Sequence, residues 1–194
     1  MKLVFASSNK NKIAEIQAML PPHFKILSLE DIGCTEEIPE TADTIEGNAI
    51  LKADYVTEKY GYDCFADDSG LEVSALDGAP GVYSARYAGE QKNAMDNMQK
   101  LLEALATEND RSAQFKTVLA LNLNNEKHLF PGILRGTITN TMRGTNGFGY
   151  DPIFQPEGYE RNLAEFTMEE KAAISHRGIA VKQLVSFLEA LQKP

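Results

Sequence analysis

The chain has 194 residues, of which 43% are hydrophobic, so it can bury a sizeable core and lacks the composition of a disordered protein. Its formal net charge of −9 makes extended nucleic acid a poor candidate partner, because that binding depends on lysine and arginine neutralising phosphates. No hydrophobic run approaches the roughly 20 residues that cross a bilayer, and the apolar stretch near the N-terminus is too short for a signal peptide, so no membrane association is expected.

Strands and helices alternate in the first part of the chain. In order, the sequence predicts a strand, a helix, a second strand, an acidic loop and a long helix over residues 2–6, 9–20, 25–29, 36–43 and 44–60. Two short strands follow, at 63–67 and 71–74. A glycine- and proline-rich loop comes after them.

The second part predicts a helix and then mostly hairpins. The helix covers 91–107, and strands at 114–124 and 127–131 form a hairpin that turns at Asn124 and Asn125. A strand at 134–140 and two C-terminal helices follow, the first opened by a capping box from Thr167 to Glu170. We therefore expect an α/β fold with a mixed sheet in a single domain over residues 1–194.

The two cysteines have neither histidine partners nor the spacing of a zinc site. Reduced thiols in the cytoplasm fit this pattern. A zinc site is therefore not predicted.

Two adjacent carboxylates, Asp67 and Asp68, stand between the two short strands. Ser69 and Gly70 follow them, and these residue types permit a solvated hairpin turn, which is the plain interpretation. Adjacent carboxylates that are not solvated must be hydrogen-bonded or bound to a metal. The dipeptide alone leaves both interpretations open.

The segment from Ser7 to Lys12 joins the first strand to the first helix. Ser8 or Asn9 is a suitable N-cap, which places Lys10 and Lys12 in the first turn, where positive charge opposes the helix dipole. Exposed lysines tolerate this small penalty, but a bound phosphate would reverse its sign. The glycines and the GK[ST] ending of a P-loop are missing.

Lys52 falls on the apolar stripe of the long helix. Its ammonium must either reach solvent or find an anion. Glu40, in the preceding acidic loop, and Asp68 are the candidate anions. Carboxylates with lysines beside them suggest a hard cation such as Mg²⁺ bridging to phosphate.

Two further segments carry candidate ligand residues. Glycines flank Phe148 and leave its ring open on both sides, either as a stacking surface for a nucleobase or as a plain aromatic plug. Ser175 and the glycine at 178 predict a helix break that puts His176 and Arg177 in the first turn of the last helix. These two cations oppose the dipole there, which favours contact with a ligand over a structural role for His176.

Six landmarks in order resemble the inosine triphosphate pyrophosphatase family over nearly the whole chain: SSNKNK, GNAILKA, ADDSGL, GAPGVYSARY, GFGYDP and EEKAAISHRG. The resemblance implies an elongated α/β fold whose mixed sheet forms two lobes around a central cleft, usually as a homodimer. It also implies Mg²⁺-dependent hydrolysis of ITP, dITP and XTP to the nucleoside monophosphate and pyrophosphate. The segment from Thr44 to Asn48 departs from the family pattern, because it lacks a phenylalanine common there.

The resemblance also implies a role for each matching residue. The phosphates would be held by the first segment and a nearby lysine, namely Ser7, Ser8, Asn9, Lys10, Asn11, Lys12 and Lys52. The metal would be held by Glu40, Asp68 and Asp67, with Asp68 as proton acceptor for the attacking water; Glu36 and Glu37 leave open which glutamate is the ligand. The base would stack on Phe148 and be read or lined by Gly149, Tyr150, Asp151, Lys171, His176 and Arg177, with Ser69 as a further substrate contact.

Hydrogen-bond donors in the base pocket would suit the 6-keto oxygen of hypoxanthine or xanthine, whereas the 6-amino group of adenine would leave them unpaired. The main alternative enzyme is a Maf-type pyrophosphatase for modified pyrimidine nucleotides, against which the Phe148 and His176 segments argue. The other alternative is a nucleotide-binding sensor without turnover, which could dispense with Asp68.

Overall fold

The computed structural model describes residues 2–191 and contains one six-stranded sheet. The strands are β1 Lys2–Phe5, β2 Lys25–Leu27, β3 Cys64–Val73, β4 Ser112–Leu123, β5 Glu126–Ile138 and β6 Phe154–Pro156. Their order in the sheet is β2-β1-β3-β4-β5-β6. β1 runs parallel to β2 and β3, whereas β5 and β6 are antiparallel, so the predicted mixed sheet is confirmed.

Five α-helices accompany the sheet within these residues: α1 Lys10–Met19, α2 Ile45–Tyr60, α3 Ala94–Ala104, α4 Met168–Ile174 and α5 His176–Ala190. Side chains at Asn9, Thr44, Asn93 and Thr167 cap the first four by accepting backbone N–H groups that the helix itself leaves unpaired. The capping box of Thr167 and Glu170 is confirmed. Each described helix is too short or too polar to span a membrane.

The chain divides into two compact units, each with its own hydrophobic core. The first unit comprises residues 2–68, 117–132 and 177–191, and its core includes the stacked rings of Phe5 and Phe65, 4.7 Å apart. The second unit comprises residues 69–116 and 133–176, and its core includes Phe115 and Phe154. Whether the units form one domain stays a prediction.

Two predicted pairs of strands are in fact single strands. β3 runs without a turn through Asp67 and Gly70, because lysines neutralise the two carboxylates and remove the need for a solvated turn. β5 continues through Pro131, which has no N–H to donate to a neighbouring strand. On the side of β6 the missing N–H removes no hydrogen bond, because β6 pairs with β5 only at 136–138 and does not reach the proline.

The other local predictions differ in their bounds more than in their type. The turn at Asn124 and Asn125 is confirmed, and both residues adopt the left-handed conformation of a two-residue hairpin loop, with φ of 52° and 65°. The third helix begins at 94 and not at 91, because Asn93 accepts the N–H groups of Met95 and Asp96 as its cap. The break at Ser175 is confirmed, so His176 and Arg177 open α5.

Candidate active site

The adjacent carboxylates of β3 lie in the first unit and are almost inaccessible to solvent, with exposures of 1% for Asp67 and 7% for Asp68. Asp67 Oδ2 lies 2.9 Å from Lys12 Nζ and 3.5 Å from Arg177 Nε. Asp68 Oδ1 accepts a hydrogen bond from Lys52 Nζ at 3.2 Å. Each carboxylate therefore has a cationic partner from a different helix, as buried charges require.

The N-terminus of α1 supplies Lys12 through a local cap. Asn9 Oδ1 accepts hydrogen bonds from the backbone N–H groups of Asn11 and Lys12, at 3.0 and 3.2 Å, and Ser7 Oγ accepts from Asn9 N–H at 3.3 Å. This cap already uses two of the helix's first N–H groups. Lys12 points to Asp67, whereas Ser8, Lys10 and Asn11 are exposed. An anion at this end of the helix would therefore be bound mainly by side chains, since these two backbone N–H groups are already hydrogen-bonded to Asn9.

Lys52 does not reach solvent, although it lies on the apolar stripe that includes Ala49 and Val56. It is 7% exposed, and its ammonium contacts Glu40 Oε1 as well as Asp68. Glu40, one of the three candidate glutamates, therefore faces the lysine and the β3 carboxylates. Glu36 instead bonds to residues in the second half of α2.

Asn48 joins these parts, and its role was not predicted from the sequence. Its Nδ2 donates to Asp68 Oδ2 at 3.4 Å, and its Oδ1 accepts the N–H of Ala42 at 2.9 Å. The buried amide thus links the loop of Glu40 to β3. Its place in GNAILKA, one turn before Lys52, was the available signal.

The electrostatics separate the two aspartates. Burial alone would raise the pKa of Asp67, but the charges of Lys12, Arg177 and Lys52 outweigh it, so the pKa is lowered. Burial raises the pKa of Asp68, and Lys52 and Lys12 offset that only in part, while Glu40 and Asp67 repel its charge. Asp68 is therefore the better proton acceptor of the pair.

Arg177 lies in the first unit, with its side chain 2% exposed. Its Nη1 donates to Glu15 Oε2 at 2.5 Å, and its Nε lies near Asp67. The sequence does not predict a role for Glu15, because its partner is 162 positions away in the chain. The predicted contact of Arg177 with the base stays a prediction.

The second unit gathers the residues predicted to meet the base. Asp151 Oδ2 accepts hydrogen bonds from the backbone N–H of Phe148 at 2.9 Å and from Lys171 Nζ at 2.6 Å. Lys171 Nζ also lies 4.8 Å from the centroid of the Phe148 ring. The prediction that the ring is open on both sides is wrong, because the lysine is drawn over it by the aspartate and by a cation–π attraction.

The other predicted residues of this unit differ in accessibility. Tyr150 is buried, and its hydroxyl donates to the carbonyl of Ser84 at 2.8 Å. His176 is buried and stacks on Phe115 with ring centroids 4.7 Å apart. Gly149 and Ser69 are partly exposed. That Tyr150 lines the base pocket and that His176 contacts the base both stay predictions.

Glu40 and Asp68 fit a magnesium ion better than Asp67 does. In residues 2–191 no three histidine, cysteine or acidic side chains come close enough to hold a metal by themselves. Mg²⁺, however, is commonly held by one or two carboxylates together with waters and substrate phosphates. Glu40 and Asp68 already direct oxygens to one ammonium, whereas Asp67 is engaged with Lys12 and Arg177.

The chain is similar over nearly its whole length to several known proteins. The dITP/XTP pyrophosphatase of Flavobacterium johnsoniae is 70% identical, over 98% of this chain and 99% of its own, and that of Flavobacterium psychrophilum is 66% identical, over 97% and 100%. The solved structure of the Staphylococcus aureus Ham1 protein matches with a TM-score of 0.91 and 39% identity, over 99% of this chain and 100% of that one. The Coxiella burnetii HAM1 protein matches with a TM-score of 0.91 and 42% identity, over 98% and 99%. The Ham1 family model covers residues 3–187, and so this chain belongs to the Ham1 family.

Proposed function

We propose that the chain hydrolyses dITP, XTP and ITP to the nucleoside monophosphate and pyrophosphate, which keeps these nucleotides out of DNA and RNA. The observation that carries the proposal is the cluster of ion pairs that Lys12 and Lys52 form with the buried Asp67 and Asp68 and with Glu40. The names of the Flavobacterium relatives support the choice of substrate.

The lysines explain how an acidic protein binds a polyanion. A triphosphate carries several negative charges, which must be offset locally in a protein of net charge −9. Lys12 and Lys52 lie together. Burial lowers the pKa of Lys12, and the positive charges of Lys52 and Arg177 add to this effect. Burial alone would also lower the pKa of Lys52, but the negative charges of Asp68, Asp67 and Glu40 outweigh it and raise that pKa. Ser7, Ser8, Asn9, Lys10 and Asn11 surround the same end of α1 and complete the phosphate site.

Asp68 is the proton acceptor in this proposal. A water attacks the α-phosphorus, Asp68 takes its proton, the bond from that phosphorus to the bridging oxygen breaks, and pyrophosphate leaves. The partly uncompensated burial of Asp68 raises its pKa toward the range of a useful base. Positioning and charge stabilisation contribute most to such a reaction.

Mg²⁺ fits the same cluster, with Glu40 and Asp68 as its protein ligands and Asp67 beside them. When bound, it would neutralise phosphate charge and lower the pKa of a bound water. The protein's own contribution is to bury Asp67 and Asp68 and to hold Asp68 and Glu40 close to Lys52.

The base is recognised in this proposal by Phe148 and the donors near it. The purine stacks on the ring, a contact worth about 1–3 kcal/mol. Lys171 offers an ammonium beside the ring to a 6-keto oxygen, with His176 and Arg177 as further donors and Ser69, Gly149, Tyr150 and Asp151 around the pocket. Adenine would present a 6-amino group to these donors and leave them unpaired.

A nucleotide panel in H₂¹⁸O tests the function. We expect dITP, XTP and ITP to be cleaved faster than dATP, GTP, dTTP and UTP, only with Mg²⁺, and the label to appear in the nucleoside monophosphate. Release of orthophosphate and a diphosphate would contradict the cleavage site. Faster cleavage of UTP or dTTP would favour the Maf-type alternative, and binding without turnover would favour the sensor.

We further propose a cytoplasmic homodimer. The free thiols of Cys34 and Cys64 support a reducing compartment, and the resemblance to the inosine triphosphate pyrophosphatases supports the dimer. Light scattering during size-exclusion chromatography would give twice the chain's 21.4 kDa for a dimer, and the monomer mass would exclude it.

A further inference from the structure

One carboxylate oxygen in the acidic loop before α2 accepts three hydrogen bonds. Glu36 Oε1 receives them from Tyr55 Oη at 2.8 Å, Tyr60 Oη at 2.7 Å and Lys59 Nζ at 2.7 Å. All three donors lie in the second half of α2. The ammonium of Lys59 also lies 5.2 and 5.7 Å from the centroids of the two tyrosine rings, so the donors pack on one another as well as on Glu36.

The same loop is tied to the first half of α2 at its other end. The N–H of Ala42 donates to the side-chain carbonyl of Asn48 at 2.9 Å. Glu40 therefore lies between two attachments to one helix, at Glu36 and at Ala42. That helix also carries Lys52, whose ammonium contacts Glu40.

We propose that Glu36 is a positioning residue that holds the loop on α2 so that Glu40 faces Asp68 and the metal. The inference rests on the proposed function, in which Glu40 is a magnesium ligand. Glu40 itself is exposed, and its loop contains no helix or strand from residue 33 to 44. A loop of this kind loses conformational entropy when it becomes ordered. Because the attachment at Glu36 orders the loop when the chain folds, metal binding does not have to supply the free energy for that ordering.

The charge of Glu36 favours a stable attachment of the loop to α2. Hydrogen bonds from Lys59, Tyr60 and Tyr55 lower the pKa of Glu36, so the carboxylate stays charged and its hydrogen bonds are charge-assisted. Outer groups that orient a metal ligand commonly change metal affinity by about 10–100-fold when they are removed. Glu36 was itself a candidate ligand from the sequence, and the two roles predict different behaviour.

The first experiment measures Mn²⁺ affinity by electron paramagnetic resonance, without nucleotide, together with the Mg²⁺ dependence of dITP hydrolysis. We expect Glu36→Ala to weaken Mn²⁺ binding about 10-fold and to raise the Mg²⁺ concentration for half-maximal rate similarly, while kcat at saturating Mg²⁺ stays within about two-fold. Glu58→Ala removes an exposed glutamate from the same helix and should match wild type. Wild-type Mn²⁺ affinity in Glu36→Ala would overturn the inference.

The second experiment separates positioning from direct ligation. The double variant Tyr55→Phe/Tyr60→Phe removes two donors and leaves Glu36 in place, and it should reproduce most of the loss of Mn²⁺ affinity. Adding Glu36→Ala to it should then weaken binding little further, because both changes break the same attachment. Wild-type affinity in the tyrosine variant, with a large loss in Glu36→Ala, would make Glu36 a ligand and refute its positioning role.

Glu40→Gln distinguishes failure of this inference from failure of the proposed function. Loss of Mn²⁺ binding in Glu40→Gln with wild-type binding in Glu36→Ala would reject the positioning role alone. Unchanged Mn²⁺ binding in Glu40→Gln would reject Glu40 as a ligand and the inference with it. The tyrosine variant removes only hydroxyl groups, so its result does not depend on whether Glu36→Ala folds normally.

Discussion

The two units differ in the number of charged side chains at their candidate sites. The first unit packs Lys12, Lys52 and Arg177 among several carboxylates, so that its candidate site is a network of ion pairs. In the second unit, the buried ion pair of Lys171 with Asp151 lies beside an aromatic ring. A charge network suits a polyphosphate, which is the same in every nucleotide, whereas a ring with one placed cation suits a base, which differs between nucleotides.

The largest effect should come from removing the proton acceptor of the first unit. Asp68→Asn is expected to lower kcat for dITP by about 10²–10⁴-fold, the usual contribution of a general base, while nucleotide affinity is largely kept. Pre-steady-state turnover and equilibrium binding measure the two separately. Asp77→Asn, at an exposed position, is the matched control, and wild-type kcat in Asp68→Asn would remove Asp68 from the mechanism.

Removing a cation of the first unit should lower kcat/KM for every nucleotide to a similar extent. Lys52→Met is expected to lower kcat/KM by roughly 10–100-fold for dITP, XTP and dATP together, because a charge-assisted bond is worth about 1.5–3 kcal/mol. Lys127→Met removes an exposed cation paired with Asp54 and should have no effect. A loss confined to one base would break the proposed division between the units.

Removing the ring of the second unit should instead change selectivity. Phe148→Ala is expected to lower kcat/KM for dITP about 5–150-fold, from the loss of about 1–3 kcal/mol of stacking, and to narrow the preference for dITP over dATP. Phe148→Tyr keeps the ring and should restore most of the rate. An unchanged ratio of dITP to dATP in the alanine variant would argue against base recognition at this ring.

Two glycines beside Phe148 give a sharper test of the second unit. A Cβ at Gly147 would overlap Asp151 Oδ2, whereas one at Gly149 would meet no atom within 4 Å, although both residues have positive φ, 74° and 63°. Gly149→Ala should therefore lose only about 1 kcal/mol of unfolding free energy and Gly147→Ala about 2–4 kcal/mol. Chemical denaturation measures both, and equal losses would show that the overlap with Asp151 is relieved without cost.

The smallest effect expected is a difference in acid stability. The pKa of Asp67 is lowered in the folded chain, so its stabilisation is complete above the unfolded value near 4 and is lost as the pH falls through the lower folded value. Between about pH 5 and 2 this single group contributes a slope of up to about 1.4 kcal/mol per pH unit. Urea denaturation at several pH values gives the unfolding free energy as a function of pH. This free energy should change less steeply with pH in Asp67→Asn than in wild type or Asp77→Asn, and identical pH dependences would contradict the lowered pKa.

Local sequence chemistry predicted most of the helices and turns. Asn9 and Thr167 are strong caps, the pair at 124 and 125 fits a tight turn, and Ser175 marks a break, so each of these elements follows from neighbouring residues. β3 was predicted as two strands, because the sequence around Asp67 has the composition of a turn. The cations that make the strand possible come from distant helices.

The sequence by itself determined which residue types were available for the chemistry and that the chain resembles nucleotide pyrophosphatases. Only the tertiary structure decided how they combine: Glu40 and not Glu36 facing Lys52, Arg177 paired with Glu15, and Lys171 over Phe148. The physical reason is that a helix period or a cap depends on residues a few positions apart, whereas a buried ion pair depends on whichever charges folding brings within about 4 Å.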